Sequence, residues 1–160
     1  MNRIEVLREY IDDILLNMTG TAERLAAYVH LYGVAQYCAL IALRRGENVE
    51  LAIMAGMLHD IYSCVKIPTL DHAHKGTPMA REILEKLRIT TEAETDIICS
   101  AIYNHSDKHM TGAPLDEILK DADSFQFWMY NPLIEIIDKD RKARCDKVMS
   151  ELGIRSTGDE

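Results

Sequence analysis

Between residues 3 and 18, Ile4, Leu7, Ile11, Ile14, Leu15 and Met18 recur at three- and four-residue spacing, the period of a helix with one apolar face. A Thr19-Gly20-Thr21 break follows, then a long apolar stretch that predicts a helix to about Arg45, buried on all sides. Gly46-Glu47-Asn48 ends it, and Asn48 is placed to cap a third helix from Val49 to about Ile61. Residues 62–70 contain Pro68 and no period, so they read as a loop, and a fourth helix follows from about Asp71 to Leu87. Thr91 and Glu94 have the form of a capping box that opens a fifth helix ending near His105. Pro114 suits the first turn of a sixth helix, and a last one is predicted from Pro132 to about Leu152. No alternating strand pattern or internal repeat is present. The expected class is therefore all-α, a compact single-domain bundle of about six to seven helices over residues 1–154, with 155–160 a frayed tail.

Composition narrows the function classes. The chain has 160 residues, enough for one complete core, with 48% apolar and 28% charged residues. Its net charge of −8 disfavours a nucleic acid duplex or an anionic membrane as partner, so an anionic substrate needs a local site. Cys38, Cys64, Cys99 and Cys145 are dispersed without a C-x-x-C pair, which suggests neither a disulfide framework nor a zinc site. The charged start of the chain is unlike a signal peptide, and the expected location is cytoplasmic.

The histidines change the picture most. His30 falls in the long apolar helix, and His59-Asp60 closes the apolar run from Leu51. His72 shares a face with Gly76, Met79, Ile83 and Leu87, and His105 continues the stripe of Ala101 and Ile102. Asp123 borders the apolar face of the sixth helix, whereas Asp121 falls nearer solvent. His74, His109, Asp107 and Asp116 read as surface positions, with lining of the pocket from the loop beside His105 as the alternative for His109. A single inward histidine is more often a core residue bonded to a carbonyl, but four together reverse that balance. His30, His59, Asp60, His72, His105 and Asp123 thus form a candidate metal site, with ligands that suit one or two divalent ions among Mn, Fe, Co, Ni, Zn and Mg.

These residues carry a resemblance to the HD-domain superfamily of metal-dependent phosphohydrolases. His30-Leu-Tyr-Gly-Val34-Ala35 resembles its H-x-x-x-V-A element, Leu58-His59-Asp60-Ile61 its dyad, and Lys120-Asp-Ala-Asp123 its closing A-D. His72-Ala-His-Lys-Gly76 and Tyr103-Asn-His105 resemble the extra elements of members that hold two metals. The resemblance implies that His30, His59, Asp60 and Asp123 hold a first metal and that Asp60 bridges to a second held by His72 and His105. It implies hydrolysis of a phosphate ester or phosphoanhydride by metal-activated water, on a small phosphorylated substrate such as a nucleotide. Many members continue the dyad as H-D-I-G-K, whereas this chain reads His59-Asp60-Ile61-Tyr62-Ser63. Lys66 and Lys75 are candidates for the missing phosphate contact, as are Arg81 and Lys108. A non-catalytic metal- or ligand-binding module ranks second to the hydrolase, and a di-iron oxygenase on the same scaffold third.

Overall fold

The structure, a computed structural model, describes residues 2–66 and 71–154. Among these residues the chain is helical without strands: α1 (Arg3–Leu16), α2 (Thr21–Arg45), α3 (Val49–Leu58), α4 (Ile61–Val65), α5 (His72–Leu87), α6 (Glu92–Asn104), α7 (Pro114–Met129) and α8 (Lys139–Leu152). Seven of these run ten residues or more, and α4 is a single turn of five.

Local chemistry sets most of the boundaries. The Asn2 side chain accepts from the Ile4 and Glu5 amides, and Asn48 accepts from Leu51 N at 3.1 Å. Both satisfy amides that a first helical turn leaves unpaired. Gly46 closes α2 at φ +73°, a left-handed conformation that glycine adopts without a Cβ penalty. In the capping box, Thr91 N donates to Glu94 Oε2 at 2.8 Å and Glu94 N donates to Thr91 Oγ1 at 3.3 Å. Glu94 also accepts from Arg3, which is paired with Glu50 as well, so one arginine ties α1 to the starts of α3 and α6.

Helix α3 is the innermost. Leu51, Ala52, Met54, Ala55, Gly56, Met57 and Leu58 are all buried because α1, α2, α6 and α7 surround it. Fully burying one Leu or Met side chain contributes about 1.5–3 kcal/mol, so this helix anchors the core. Its closest neighbour is α2: a Cβ on Gly56 would stand 2.6 Å from Ala35 Cα, so the two backbones meet there without side chains between them.

Four expectations are corrected. Helix α2 packs along α3 and α7 but is not buried on all sides; Leu25, Val29, Leu40 and Leu43 are exposed. By length and composition alone α2 is apolar enough to cross a membrane. The third helix stops at Leu58, and the turn after the His-Asp dyad is the short helix α4 rather than loop. Residues 67–70 of the expected loop, and the expected tail at 155–160, lie outside the described residues. The last helix begins at Lys139, not Pro132, because Asp138 caps it by accepting from Arg141 N at 2.8 Å.

The fourth correction concerns two carboxylates. Asp121 is fully buried, paired with Arg45 of α2 at 2.5 Å and with Arg144 and Lys147 of α8 at 2.6 and 3.0 Å. Asp116 is buried as well, accepting from Ser100 Oγ and Asn104 Nδ2 at 3.2 and 2.9 Å. His74 and His109 are exposed, as expected. All four cysteines are free thiols.

Candidate metal centre

Five helices converge on one point. His30 comes from the middle of α2, and His59 is the residue at which α3 ends. Asp60 sits in the break before α4, His72 opens α5, His105 ends α6, and Asp123 faces inward from α7. The break places Asp60 outside the regular turns of both α3 and α4, at φ −116° and ψ 14°.

The imidazole Nε2 atoms face one another in two pairs, His30 with His59 at 3.1 Å and His72 with His105 at 3.3 Å. Asp60 lies between the pairs. Its Oδ2 is 3.3 Å from His30 Nε2 and 3.6 Å from His59 Nε2, and its Oδ1 is 3.4 Å from both His72 Nε2 and His105 Nε2. Asp123 Oδ1 completes the first group at 3.6 Å from His30 Nε2 and 3.9 Å from His59 Nε2.

The outer ring nitrogens of three histidines show why Nε2 is free to point inward. His59 Nδ1 donates to Gly56 O at 2.8 Å, His105 Nδ1 to Ile102 O at 2.6 Å, and His30 Nδ1 to Gln126 Oε1 at 2.9 Å. Each partner only accepts, so Nδ1 carries the proton and Nε2 keeps its lone pair. This is the arrangement by which outer partners orient metal-binding imidazoles.

Two further features fit a cation. Asp60 Oδ1 is buried and accepts no hydrogen bond, a costly state for a carboxylate oxygen without a positive partner. His30, His59 and Asp60 form one group of donor atoms within 4.8 Å of one another, and Asp60, His72 and His105 form a second, so either can hold an ion.

Electrostatics agree with this arrangement. Burial drives the His59 imidazole pKa down to about 4, keeping it neutral. For His30, burial acts downward, but Asp60, Asp123 and Gln126 outweigh it and raise the pKa. Burial would raise the Asp60 and Asp123 carboxyls. The neighbouring imidazoles overcome this at Asp60, and Lys108 with the imidazoles overcomes it at Asp123, holding both carboxylates well below their usual range.

A protein-family model described as the HD domain matches residues 27–128, a span that contains all six of these side chains. The chain belongs to the HD-domain family. The HD superfamily comprises metal-dependent phosphohydrolases. Ribonuclease Y 2 of Levilactobacillus brevis is similar to the chain at 29% identity over 117 residues, which cover 69% of this chain and 20% of that protein. The chain thus spans about a fifth of that relative's length. No solved structure matches it.

The HD-domain site brings the six sequence candidates together but not all the proposed cations. Lys66 lines a separate groove with Tyr10, Asn17 and Glu23, into which none of the six faces. Lys75 is exposed on α5, and Arg81 is paired with Asp96 at 2.5 Å. Lys108 alone of the four touches a candidate ligand, with Nζ 2.6 Å from Asp123 Oδ2. Sequence reasoning missed Gln126, which is 8% exposed and holds His30. A signal was present: Gln126 follows Asp123 by one helical turn, and a Cβ on Gly33 would lie 3.0 Å from Gln126 Cγ, so the glycine of the first element makes room for that side chain.

Proposed function

We propose that this HD-domain chain is a two-metal phosphohydrolase acting on a small phosphorylated metabolite. The observation that carries the reading is the division of Asp60, one oxygen toward the His30–His59 pair and the other toward the His72–His105 pair. In this reading His30, His59, Asp60 and Asp123 hold one ion, and Asp60, His72 and His105 the other. Bound divalent ions would lower the pKa of water toward about 7 and polarise the phosphoryl group.

The chain's own residues do the rest. Gly56, Ile102 and Gln126 hold the imidazoles with Nε2 inward, so the donor set is oriented before substrate arrives. Lys108, buried against Asp123, supplies the positive charge that the absent H-D-I-G-K lysine would bring near the phosphoryl oxygens. Water adds to phosphorus, the bond from phosphorus to the alcohol oxygen breaks, and that oxygen takes a proton, giving inorganic phosphate and an alcohol. Lys66 and Lys75 have no place in this scheme. The free thiols accord with a reducing, cytoplasmic setting.

The likeness to a protein named a ribonuclease favours a second reading, cleavage of an RNA phosphodiester. The net charge of −8 weighs against it. Phosphate release from aryl phosphate, nucleoside phosphates and dinucleoside polyphosphates, alongside cleavage of a short RNA, decides between them for wild type and Asp60→Ala loaded with Mn, Co or Ni. Release from a small ester, lost in the variant, supports the proposal. RNA cleavage alone supports the second reading, and full metal loading without turnover returns the chain to a binding module.

A further inference from the structure

A groove of about 930 Å3 adjoins the metal centre, within the range of small-molecule sites, roughly 300–1,000 Å3. Leu25 and Val29 of α2, Phe127 and Trp128 of α7, and Ile134 and Ile136 from the segment before α8 form its walls. His30 and Gln126 line it too, so the groove and the metal cluster share side chains: His30 Nε2 is 3.3 Å from Asp60. Leu25 is 60% exposed, Val29 52% and Phe127 62%, a contiguous apolar surface of the kind that marks a binding site.

Its polar groups are few. The charged lining residues are Glu135, Asp138 and Arg141, and the Arg141 guanidinium is held 4.4 Å above the Phe127 ring centroid. Two carboxylates against one engaged cation do not suit a polyphosphate chain. The Gln126 amide oxygen is committed to His30 and Asn131 Oδ1 accepts from Leu133 N, which leaves the exposed Tyr130 hydroxyl and the two amide NH2 groups as the uncharged polar contacts of an otherwise apolar lining.

We propose that this groove takes the apolar organic part of the substrate, so that the substrate class is a phosphomonoester of a long-chain alkyl or similarly apolar alcohol. The inference rests on the phosphohydrolase reading. Continuity with the metal cluster favours a substrate over a second copy of the chain, which would seal the approach to His30. The net charge of −8 opposes an anionic lipid surface as occupant.

The test is a series of n-alkyl phosphates from ethyl to decyl, each below its micelle concentration, with phosphate release measured on the metal-loaded protein. A fully buried methylene raises kcat/KM about fourfold and a half-buried one about twofold, so the four methylenes from butyl to octyl raise it between about 16-fold and about 250-fold. In Leu25→Gln and Val29→Gln, both at exposed positions, the ratio of octyl to ethyl phosphate kcat/KM falls toward one. Trp128, the single tryptophan, gives a readout independent of turnover: non-hydrolysable octylphosphonate shifts its emission, and the two variants weaken that binding.

Turnover of every ester without chain-length dependence overturns the inference and leaves the phosphohydrolase reading intact. Absence of turnover with a Trp128 response sinks the hydrolase but keeps an apolar anion site. A wild-type dimer in sedimentation that Val29→Gln converts to monomer assigns the groove to a second copy, and co-sedimentation with phosphatidylcholine vesicles assigns it to a lipid surface. Either result overturns the proposal.

Discussion

Replacing Gly56 by alanine separates two opposing effects. In an isolated helix the substitution is favourable by about 1 kcal/mol. Here the new Cβ would stand 2.6 Å from Ala35 Cα, 2.9 Å from Ala35 N and 3.2 Å from Cys38 Sγ. The two closest atoms are backbone and cannot swing away, so α2 and α3 must move apart. Overpacking of a core costs about 1–3 kcal/mol, and a backbone clash belongs at the top of that range. The net expectation is a loss of about 1–2 kcal/mol, and for a domain of this size roughly 2–8 °C in Tm. The same movement disturbs the metal centre, because Gly56 O holds His59 Nδ1 and the displaced helix carries His30. Thermal unfolding of chelator-treated wild type and Gly56→Ala, followed by metal titration of each, measures both consequences. An unchanged or raised Tm with wild-type metal affinity would refute the close approach of α2 and α3 and its link to the site.

Other consequences concern the site directly. Gln126→Leu removes the acceptor for His30 Nδ1, so metal affinity falls by about 10–100-fold while Tm of the metal-free protein changes little; competition with a chelating dye checks this, and unchanged affinity would show that Gln126 does not orient His30. The metal-free protein loses stability as pH falls from 6.5 toward 4. The His59 pKa is depressed to about 4 on folding, so its contribution is complete above the unfolded value of 6.5 and lost below it, at most about 3 kcal/mol at 1.36 kcal/mol per pH unit. His30, whose pKa is raised, returns part of this as it takes a proton. Urea midpoints at pH 7 and pH 5 read the balance, and a midpoint that rises on acidification would contradict a buried neutral His59. Asp121→Ala leaves Arg144 and the partly buried Arg45 without their shared carboxylate, and removing one partner of a buried ion network costs about 3–5 kcal/mol. A urea-unfolding loss below 1 kcal/mol would show that network to be dispensable.

The six candidate ligands were legible because each interrupts an apolar stripe, and a polar group there must find a partner inside. Periodicity reports the face of one helix and not what packs against it. Asp121 therefore read as solvent-facing, although Arg45 and two α8 side chains enclose it. The same limit hid the exposed N-terminal half of α2, whose apolar residues line a groove instead of the core. The last helix was expected from Pro132, yet Leu133, Ile134 and Ile137 are all exposed and the helix waits for its Asp138 cap. The turn at Ile61–Val65 was invisible because five residues are too few to show a period. Lys108 could be named from its nearness to His105 in sequence, but only the loop geometry between α6 and α7 brings its Nζ to Asp123.

The central claim is that Asp60 joins two metal positions. Elemental analysis of purified protein after loading with Mn or Co, with wild type beside His72→Ala, His30→Ala and Asp60→Ala, tests it most directly. The account predicts two ions per chain in wild type, one retained when His72 is removed, and weakened binding at both positions when Asp60 is removed. Wild-type protein that stays metal-free after incubation with Mn, Fe, Co and Ni, or an Asp60→Ala variant that still binds two ions, would contradict it.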